Sequence, residues 1–335
     1  MESQGPRTSR HGVGLVALVE AMRPAHWVKN AFVVAPILFS WPSRHAEAWL
    51  QCALATAAYC LLSSSVYLIN DLADRDADRL HPTKRDRAIA SGRLGAAFAM
   101  SAAAILMLAG LGLAVLVDLA WRAPGMPLGG MQLIVWTLSY LALNLLYSFW
   151  LKGHAVVDVI VVALGFVLRA MAGAAAINVP ITPWLVVCTF TLTLFIALTK
   201  RRSELLSLSA DESHGARKAN RGYSAPTLEY MLTVSTALAI LTYSLYCLAP
   251  GTIMRIGSGH MIWTIPLVVY GMFRFNAITR QSDADPTALL VRDKTMWVVV
   301  GLYVTMVLLI YVFGRDPSVS NILDTHWELH SASQP

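Results

Sequence analysis

The sequence predicts an all-α, polytopic membrane protein of about nine transmembrane helices. Its 335 residues are 56% hydrophobic and only 14% charged, whereas soluble domains average about 25% charged residues. Nine apolar runs approach the roughly 20 residues that cross a bilayer as a helix. The 26 lysines and arginines also divide by loop, with 21 on one side of the predicted spans and four on the other.

The N-terminal part of the chain precedes this bundle. Residues 1–22 are predicted to form a tail that contains a short amphipathic helix at 13–22 lying on the membrane surface. The first apolar run, 27–42, is the weakest of the nine, because its Trp27-Val28-Lys29-Asn30 sequence also suits a membrane interface.

The other spans follow in order and are separated by loops of contrasting charge. The second span ends at one long charged loop, 70–94, and the sixth ends at another, 200–227. With the first span, they make up a single predicted transmembrane domain at 23–315, which a polar tail at 316–335 follows. The eight later spans are predicted at 47–69, 95–117, 131–150, 156–178, 183–199, 228–249, 260–276 and 295–313.

The distribution of positive charge predicts the orientation. The positive-inside rule places the basic loops in the cytoplasm. An odd number of spans then puts the N-terminus inside and the C-terminus outside the plasma (inner) membrane. Because the net charge of +6 sorts by loop, it reflects topology, and no nucleic-acid partner is expected. The sequence leaves a homo-oligomer open.

The second span leads into the pattern Asn70-Asp71-x-x-Asp74-x-x-x-Asp78. If the helix continues through Asp78, three of the aspartates share one sector at about 100° per residue, and Asp76 points away. Three converging carboxylates repel one another unless a cation neutralises them, and Mg²⁺ prefers oxygen ligands of this kind. Asp71, Asp74 and Asp78 are therefore candidate metal ligands, and Asn70 is a candidate substrate contact. The alternative is a solvated acidic helix end offset by nearby arginines and lysines.

Basic residues follow the aspartates directly. Lys84, Arg85 and Arg87 lie between His81-Pro82, which is expected to end the helix, and Gly92. Arginine offers a planar fork to phosphate oxygens, and lysine offers a compact charge. Acidic residues that hold a metal, next to basic residues, predict a diphosphate-binding site. A single arginine in a cytoplasmic loop more often reflects topology, so the prediction depends on the whole cluster.

The fourth and fifth spans carry polar residues where apolar ones are the rule. Asn144 and Tyr147 lie on one stripe of the fourth span, and Lys152 and Asp158 follow it. They either line a cavity or bond neighbouring helices. Arg169 lies in the middle of the fifth span, where a charge is costly and suits an anionic ligand or a carboxylate partner. A purely structural ion pair is the alternative.

The end of the sixth span is also charged. Lys200, Arg201 and Glu204 share one helical face, and Tyr223 lies in the loop that follows. The acid is a candidate for a second metal or for a substrate hydroxyl. The alternative is a positively charged anchor at the membrane surface.

These motifs resemble those of the UbiA-type membrane prenyltransferase superfamily. The flanking segments are similar to its decaprenyl-phosphate phosphoribosyltransferase branch, and the match covers about residues 20–310. Ala88 stands where that family usually has proline, which removes no ligand. The matching segments are Arg23-Pro24-Ala25-His26-Trp27-Val28-Lys29-Asn30, His81-Pro82-Thr83-Lys84-Arg85-x-Arg87-x-Ile89-Ala90-x-Gly92, Gly165-Phe166-x-x-Arg169-Ala170-x-Ala172-Gly173, Lys200-Arg201-x-x-Glu204, and Tyr270 to Phe275 with Pro286 and Asp293.

The resemblance implies a UbiA-type bundle with a cavity that faces the cytoplasm. It implies Mg²⁺-dependent transfer of 5-phosphoribosyl from phosphoribosyl diphosphate to a polyprenyl phosphate such as decaprenyl phosphate, with release of diphosphate. In mycobacteria and their relatives that product feeds cell-wall arabinan synthesis. Asp71, Asp74, Asp78 and Arg169 are then the expected catalytic residues. Lys29, Arg169, and Lys200 with Arg201 are candidates to bind the lipid phosphate.

Two other functions compete with this one. An aromatic prenyltransferase that uses a prenyl diphosphate would keep the fold, but the segment around Trp27 and the one around His81 favour the phosphoribosyl branch. A secondary transporter would explain polar residues inside spans, yet it does not need the charged loop, and the expected pair of interrupted helices is not evident.

Overall fold

The computed structural model describes residues 10–40, 46–81, 84–121, 132–209, 222–280, 289 and 292–314. Throughout these ranges the secondary structure is helical, without a strand, and eight helices are long and apolar enough to cross a membrane. The predicted all-α, multi-pass architecture is therefore confirmed. Residues 1–9 and the polar tail at 316–335 lie outside the described residues.

Twelve α-helices are present in the described part of the chain. Three short 3-10 helices, Pro24–Asn30, Leu151–Gly153 and His260–Thr264, join some of them. The α-helices are α1 (Arg10–Met22), α2 (Ala31–Leu38), α3 (Ala46–Ala73), α4 (Arg75–Arg79), α5 (Ala96–Ala120), α6 (Gln132–Phe149), α7 (Val157–Ala176), α8 (Pro183–Ser209), α9 (Ala225–Leu248), α10 (Pro250–Ile256), α11 (Ile265–Arg280) and α12 (Lys294–Phe313).

The first predicted span, 27–42, is not one of the eight membrane-length helices. The chain there forms the 3-10 helix Pro24–Asn30 and the eight-residue α2. Arg23, just before the 3-10 helix, has a left-handed φ of 54°, and Pro36 inside α2 lacks a backbone N–H. The described residues thus form eight membrane-length helices, and the predicted number of nine is approximate.

Helix α1 packs through small residues. Ala17 and Ala21 are buried against a cluster that includes Ile89, and the ion pair between Glu20 and Arg93 spans 2.6 Å. The hydrogen bond from Arg93 lowers the pKa of the Glu20 carboxyl. The other side of α1 exposes Leu15, Val16 and Val19. Its position on a membrane surface stays a prediction.

The chain forms two compact units. The first comprises Met1–Phe190 with Glu212–Tyr223. Its core includes Tyr59 and Tyr140, whose ring centroids lie 5.1 Å apart. Helix α2 crosses α7 at Gly173, where an added Cβ atom would meet the Val33 carbonyl oxygen at 2.0 Å. Only glycine permits this approach of the two backbones.

The membrane-length helices differ widely in burial. In α7, 72% of the most apolar stretch is buried, compared with 28% in α5 and 17% in α12. Alanine and glycine dominate the second half of α7, and small residues let neighbouring helices approach closely. In contrast, α12 carries a large exposed apolar surface.

The second unit comprises Thr191–Asp211 with Ser224–Pro335. Arg202, near the end of α8, is buried there and connects α8 to α9 and α11. It donates to Asn276 Oδ1 at 2.8 Å, Thr279 Oγ1 at 2.9 Å and Glu229 Oε1 at 3.3 Å. These contacts compensate the cost of burying its charge.

Asp293, one of the residues that match the family motifs, caps a helix in the second unit. Asp293 Oδ1 accepts a hydrogen bond from the Met296 backbone N–H at 2.8 Å, which caps α12, and Asp293 Oδ2 pairs with Arg274 at 2.7 Å. The hydrogen bond from Arg274 lowers the pKa of the Asp293 carboxyl. Pro286, in the same segment, lies outside the described residues.

Candidate functional site

The acidic pattern lies at a bend between two helices. Helix α3 ends at Ala73, Asp74 has φ −92° and ψ 0°, and α4 begins at Arg75. The condition of one unbroken helix through Asp78 is therefore not met, because Asp74 interrupts it. The Asp74 N–H still donates to the Asn70 carbonyl at 2.9 Å, and the Asp78 N–H donates to the Asp74 carbonyl at 2.8 Å. Because the four-residue spacing of these hydrogen bonds persists, the bend preserves much of the expected helical face.

Two of the three aspartates are brought together on one arginine. Asp71 Oδ1 accepts hydrogen bonds from Arg23 Nη2 at 2.6 Å and from Arg87 Nη1 at 3.1 Å. The same Arg87 nitrogen donates to Asp78 Oδ2 at 2.7 Å. Asp71 and Asp78 are each only 5% exposed. Buried carboxylates require such partners, because desolvation of an unpaired charge is costly.

The third aspartate has a separate partner. Asp74 forms an ion pair with Lys152, which lies on the 3-10 helix Leu151–Gly153. We call the six residues Arg23, Asp71, Asp74, Asp78, Arg87 and Lys152 the charge cluster.

Asp76 is outside this cluster, as its helical position predicted. Its side chain is 75% exposed and pairs with Arg75 at 3.1 Å and Arg79 at 3.4 Å. The hydrogen bond from Arg75 lowers the pKa of the Asp76 carboxyl. Asp76 is thus a chemically matched neighbour that lacks the contacts of the cluster.

The contacts of the three aspartates bear on the predicted Mg²⁺ site. Among the residues that the structure describes, no three His, Cys, Asp or Glu side chains form a group that could hold a metal ion. The cluster aspartates face cations instead. Their chemistry nevertheless fits Mg²⁺, because all donors are oxygens and the buried Asn70 Oδ1 has no hydrogen-bond partner within the described ranges. Metal binding by these aspartates stays a prediction.

The remaining residues of the basic loop are more accessible. Lys84 is half-buried and Arg85 is exposed. His81 lies beside them, and its burial together with the positive charge of Lys84 lowers the pKa of its imidazole. Pro82 and Thr83, from the same motif, lie outside the described residues.

Arg169 belongs to a different group, deep in the first unit. Its guanidinium donates to Asn30 Oδ1 at 3.1 Å, the Gly165 carbonyl at 3.3 Å and Tyr140 Oη at 2.7 Å. It also lies 4.7 Å from the centroid of the Tyr140 ring and 5.1 Å from that of Phe166. Its hydrogen-bonding partners in the described structure are neutral, so the alternative of a purely structural ion pair is not seen there. Dipoles and aromatic faces stabilise the charge.

The polar residues of the fourth predicted span differ in their surroundings. Asn144 donates to the Tyr140 carbonyl of its own helix at 2.8 Å, which supports a local bonding role. Tyr147 is half-buried on the same helix, α6. Lys29 is half-buried on the 3-10 helix that also carries Asn30. For all three residues, a substrate contact stays a prediction.

Asp158 and Tyr223 form one hydrogen-bonded pair in the first unit. Tyr223 Oη donates to Asp158 Oδ1 at 2.8 Å and accepts from the Val156 N–H at 2.6 Å. Asp158 is fully buried, and Val156 has a positive φ of 69°. A β-branched residue rarely adopts that conformation, so this hydrogen bond stabilises a strained turn. Tyr223 therefore holds the chain before α9 against the start of α7.

Tyr223→Phe is expected to lower the free energy of unfolding by about 1–3 kcal/mol, because a buried carboxylate and a backbone N–H lose a partner. Thermal unfolding of the purified protein in detergent would measure the change. Tyr230→Phe is the matched control, since Tyr230 is 72% exposed. An equal effect of both substitutions would contradict this role of Tyr223.

The charged end of α8 is described within the second unit. Arg201 and Glu204 form an ion pair, which confirms that they share a helical face. Arg201 is buried, and Lys200 is half-buried. The other charged residues of this loop, at 211–221, lie outside the described residues.

Sequence reasoning missed three contacts of these groups. Arg23 and Asn30 lie at the two ends of the resembling N-terminal segment, but their partners were not foreseen. Arg23 pairs with Asp71, and Asn30 pairs with Arg169. Tyr140, the other side-chain partner of Arg169, carries no sequence signal, because an aromatic residue is ordinary within a membrane span.

Fold and site together define a class: a polytopic, all-helical membrane protein with a cluster of paired acidic and basic residues at the end of one long helix. The chain belongs to the UbiA prenyltransferase family, whose family model matches residues 31–301. This confirms the resemblance seen in the sequence.

Two relatives within this family share one name. The chain is 34% identical over 233 residues to the decaprenyl-phosphate phosphoribosyltransferase of Mycolicibacterium smegmatis, which covers 68% of this chain and 69% of that protein. It is 33% identical over 236 residues to the protein of the same name from Mycobacterium tuberculosis, which covers 69% of this chain and 74% of the relative.

The fold is also similar to that of solved structures. A UbiA homolog from Archaeoglobus fulgidus, bound to GPP and Mg²⁺, superposes with a TM-score of 0.65 at 16% identity, over 88% of this chain and 99% of that one. At this identity the likeness shows the fold alone. The Mg²⁺ in that structure is a property of that protein.

Proposed function

We propose that this protein transfers 5-phosphoribosyl from phosphoribosyl diphosphate to a polyprenyl phosphate such as decaprenyl phosphate, releasing diphosphate. The charge cluster carries the proposal. It joins three carboxylates with three cations in a chain similar to decaprenyl-phosphate phosphoribosyltransferases. Such a set suits a substrate that has both a metal-bound diphosphate and further phosphate charge.

The donor would bind at the charge cluster. Asp71, Asp74 and Asp78, with Asn70 beside them, would hold Mg²⁺, which neutralises charge on the diphosphate when bound. Cationic side chains from the cluster and from Lys84 and Arg85 would contact phosphate oxygens. As the bond between ribose C1 and the diphosphate oxygen breaks, its electron pair leaves with the diphosphate. Cations already in place stabilise the charge that develops there.

The acceptor needs no general base, because a lipid phosphate is already an anion. One of its oxygens attacks ribose C1 and forms the new C1–O bond, and in-line attack would invert that carbon. Lys29 is the proposed phosphate contact, and Lys200 with Arg201 is the alternative. Arg169 is only 6% exposed and is bonded to Asn30, so we assign it a positioning role for the 3-10 helix that carries Lys29.

The proposed cellular setting follows from the charge distribution. The basic loops and the N-terminus would face the cytoplasm, where phosphoribosyl diphosphate is soluble, and the C-terminus would lie outside the plasma (inner) membrane. The lipid product would serve synthesis of polyprenyl-phosphoryl-arabinose and cell-wall arabinan.

The test is to incubate membranes containing the protein with radiolabelled phosphoribosyl diphosphate, decaprenyl phosphate and Mg²⁺. Label is expected to enter the organic phase, and membranes without the protein serve as the control. Label that stays in the aqueous phase would overturn the proposal. A parallel reaction with a prenyl diphosphate and an aromatic acceptor tests the nearest alternative, and product there alone would favour it.

A further inference from the structure

We infer that the charge cluster binds Mg²⁺ and diphosphate by exchanging partners. The three cations leave the three aspartates for phosphate oxygens, while the metal takes the carboxylates. Arg23 thereby becomes a phosphate-binding residue, although it lies far in sequence from the basic loop. This inference rests on the proposed function, because it assumes that a diphosphate binds at this site.

The balance of charge is the first argument. The cluster holds three carboxylates and three cations, so its formal charge is zero. Mg²⁺ alone would place two positive charges beside three cations, and diphosphate alone would place several negative charges beside three carboxylates. Two of the carboxylates are almost completely buried, where an unbalanced charge is poorly solvated. The two ligands should therefore bind weakly alone and strongly together.

The contacts give the second argument. The carboxylates that would hold a metal now accept hydrogen bonds from cations: Asp71 Oδ1 from Arg23 and Arg87, and Asp78 Oδ2 from Arg87. A metal ion and two guanidinium groups on the same pair of carboxylates would repel one another. A bound metal would therefore weaken these ion pairs and favour movement of the cations to phosphate oxygens.

Exposure gives the direction of the exchange. The Arg23 and Arg87 side chains are 25% and 31% exposed, whereas those of Asp71 and Asp78 are 6% and 7% exposed. In the third pair the order is reversed, because Asp74 is 36% exposed and Lys152 is 28% exposed. A phosphate arriving from water therefore meets the two arginines before Asp71 and Asp78. Long, flexible arginine and lysine side chains can follow the phosphate without movement of the backbone.

The backbone and a neighbouring aromatic ring position Arg23 for this role. Its left-handed backbone ends α1 and starts the 3-10 helix, and its guanidinium lies 5.2 Å from the centroid of the Tyr67 ring. The aromatic face would support the guanidinium after it leaves Asp71.

The test uses the full chain purified in detergent, with two binding measurements on each variant. Mn²⁺, as a spectroscopic substitute for Mg²⁺, is titrated alone and followed by the EPR signal of the free ion. Radiolabelled inorganic diphosphate is then bound at fixed Mg²⁺ and measured by equilibrium dialysis. Arg87→Gln is expected to tighten Mn²⁺ binding about tenfold, since a competing cation is gone, and to weaken diphosphate binding about tenfold, equivalent to about 1.4 kcal/mol each.

Further variants keep the result interpretable. Arg23→Gln and Lys152→Gln should show the same opposite changes, which protects the test if Arg87→Gln fails to fold. Arg75→Gln is the matched control, because Arg75 pairs with the exposed Asp76, and it should leave both constants unchanged. Variants in which both ligands weaken together, or neither changes, would overturn the exchange.

The outcome separates this inference from the proposed reaction. If Mn²⁺ binding tightens and diphosphate binding weakens in the variants, but the protein transfers no phosphoribosyl group, the proposed reaction is wrong and the partner exchange is supported. If the protein transfers phosphoribosyl but its Arg23, Arg87 and Lys152 variants do not show these opposite changes, only the partner exchange is wrong.

Discussion

Replacing Asp71 by asparagine is expected to reduce phosphoribosyl transfer at least ~1000-fold while leaving the protein folded. The substitution removes one negative charge from the buried part of the charge cluster, where Asp71 pairs with Arg23 and Arg87 and is proposed to hold Mg²⁺. The asparagine side chain has the same shape and retains an oxygen that can accept the hydrogen bond from Arg23, which lies 2.6 Å from Asp71 Oδ1. Transfer of label to decaprenyl phosphate measures activity, and thermal unfolding in detergent measures stability.

Asp76→Asn is the matched control for this prediction. Asp76 lies five residues away in the same acidic segment, but its side chain is exposed and, among the described residues, pairs with Arg75 and Arg79. Its substitution should leave the transfer rate within about twofold, because exposed ion pairs contribute little. Full activity of Asp71→Asn would remove Asp71 from the catalytic machinery.

Gly173→Ala is expected to destabilise the protein by about 3 kcal/mol, a large effect for one methyl group. The new Cβ atom would lie 2.0 Å from the backbone oxygen of Val33, so α2 as a whole must move away from α7. A backbone atom cannot avoid this overlap by changing rotamer. The shift would show as a lower midpoint of thermal unfolding in detergent or in nanodiscs.

Gly112→Ala provides the comparison within another membrane helix. An added Cβ at Gly112 in α5 meets no atom within 4 Å. That substitution should be neutral or should stabilise the helix by up to about 1 kcal/mol, since alanine loses less backbone entropy than glycine. If both substitutions have the same effect, close packing of α2 on α7 does not account for Gly173.

The membrane spans were predictable because hydropathy is a property of consecutive residues. Length and apolar content identified the eight long helices, from 47–69 to 295–313, without knowledge of any contact. The first span failed for a backbone reason. Its residues are apolar enough, but the chain forms the 3-10 helix Pro24–Asn30 and the eight-residue α2, and hydropathy does not report this change of backbone conformation.

The sequence predicted the candidate site only in so far as the helical period determines which side chains share a face. Spacing placed Asp76 apart from Asp71 and Asp78, and both the exposure of Asp76 and the shared Arg87 agree. It did not reveal the break at Asp74 between α3 and α4.

The partners of the charged groups could not be predicted from local sequence patterns. Arg23 reaches Asp71 across 48 residues, and Arg169 reaches Asn30 across 139. No period in the sequence reports such a separation. Only the packing of the helices brings these residues together.

The unequal burial of the membrane helices sets how freely each can vary over evolutionary time. A lipid-facing position demands only an apolar side chain, so most of α12, with 17% of its apolar stretch buried, can exchange leucine, valine, isoleucine and phenylalanine at little cost. Helix α7, at 72%, must keep both size and shape at most positions. Substitutions should therefore accumulate fastest in α12 and slowest in α7. Sequence similarity between distant relatives should persist longest in α7.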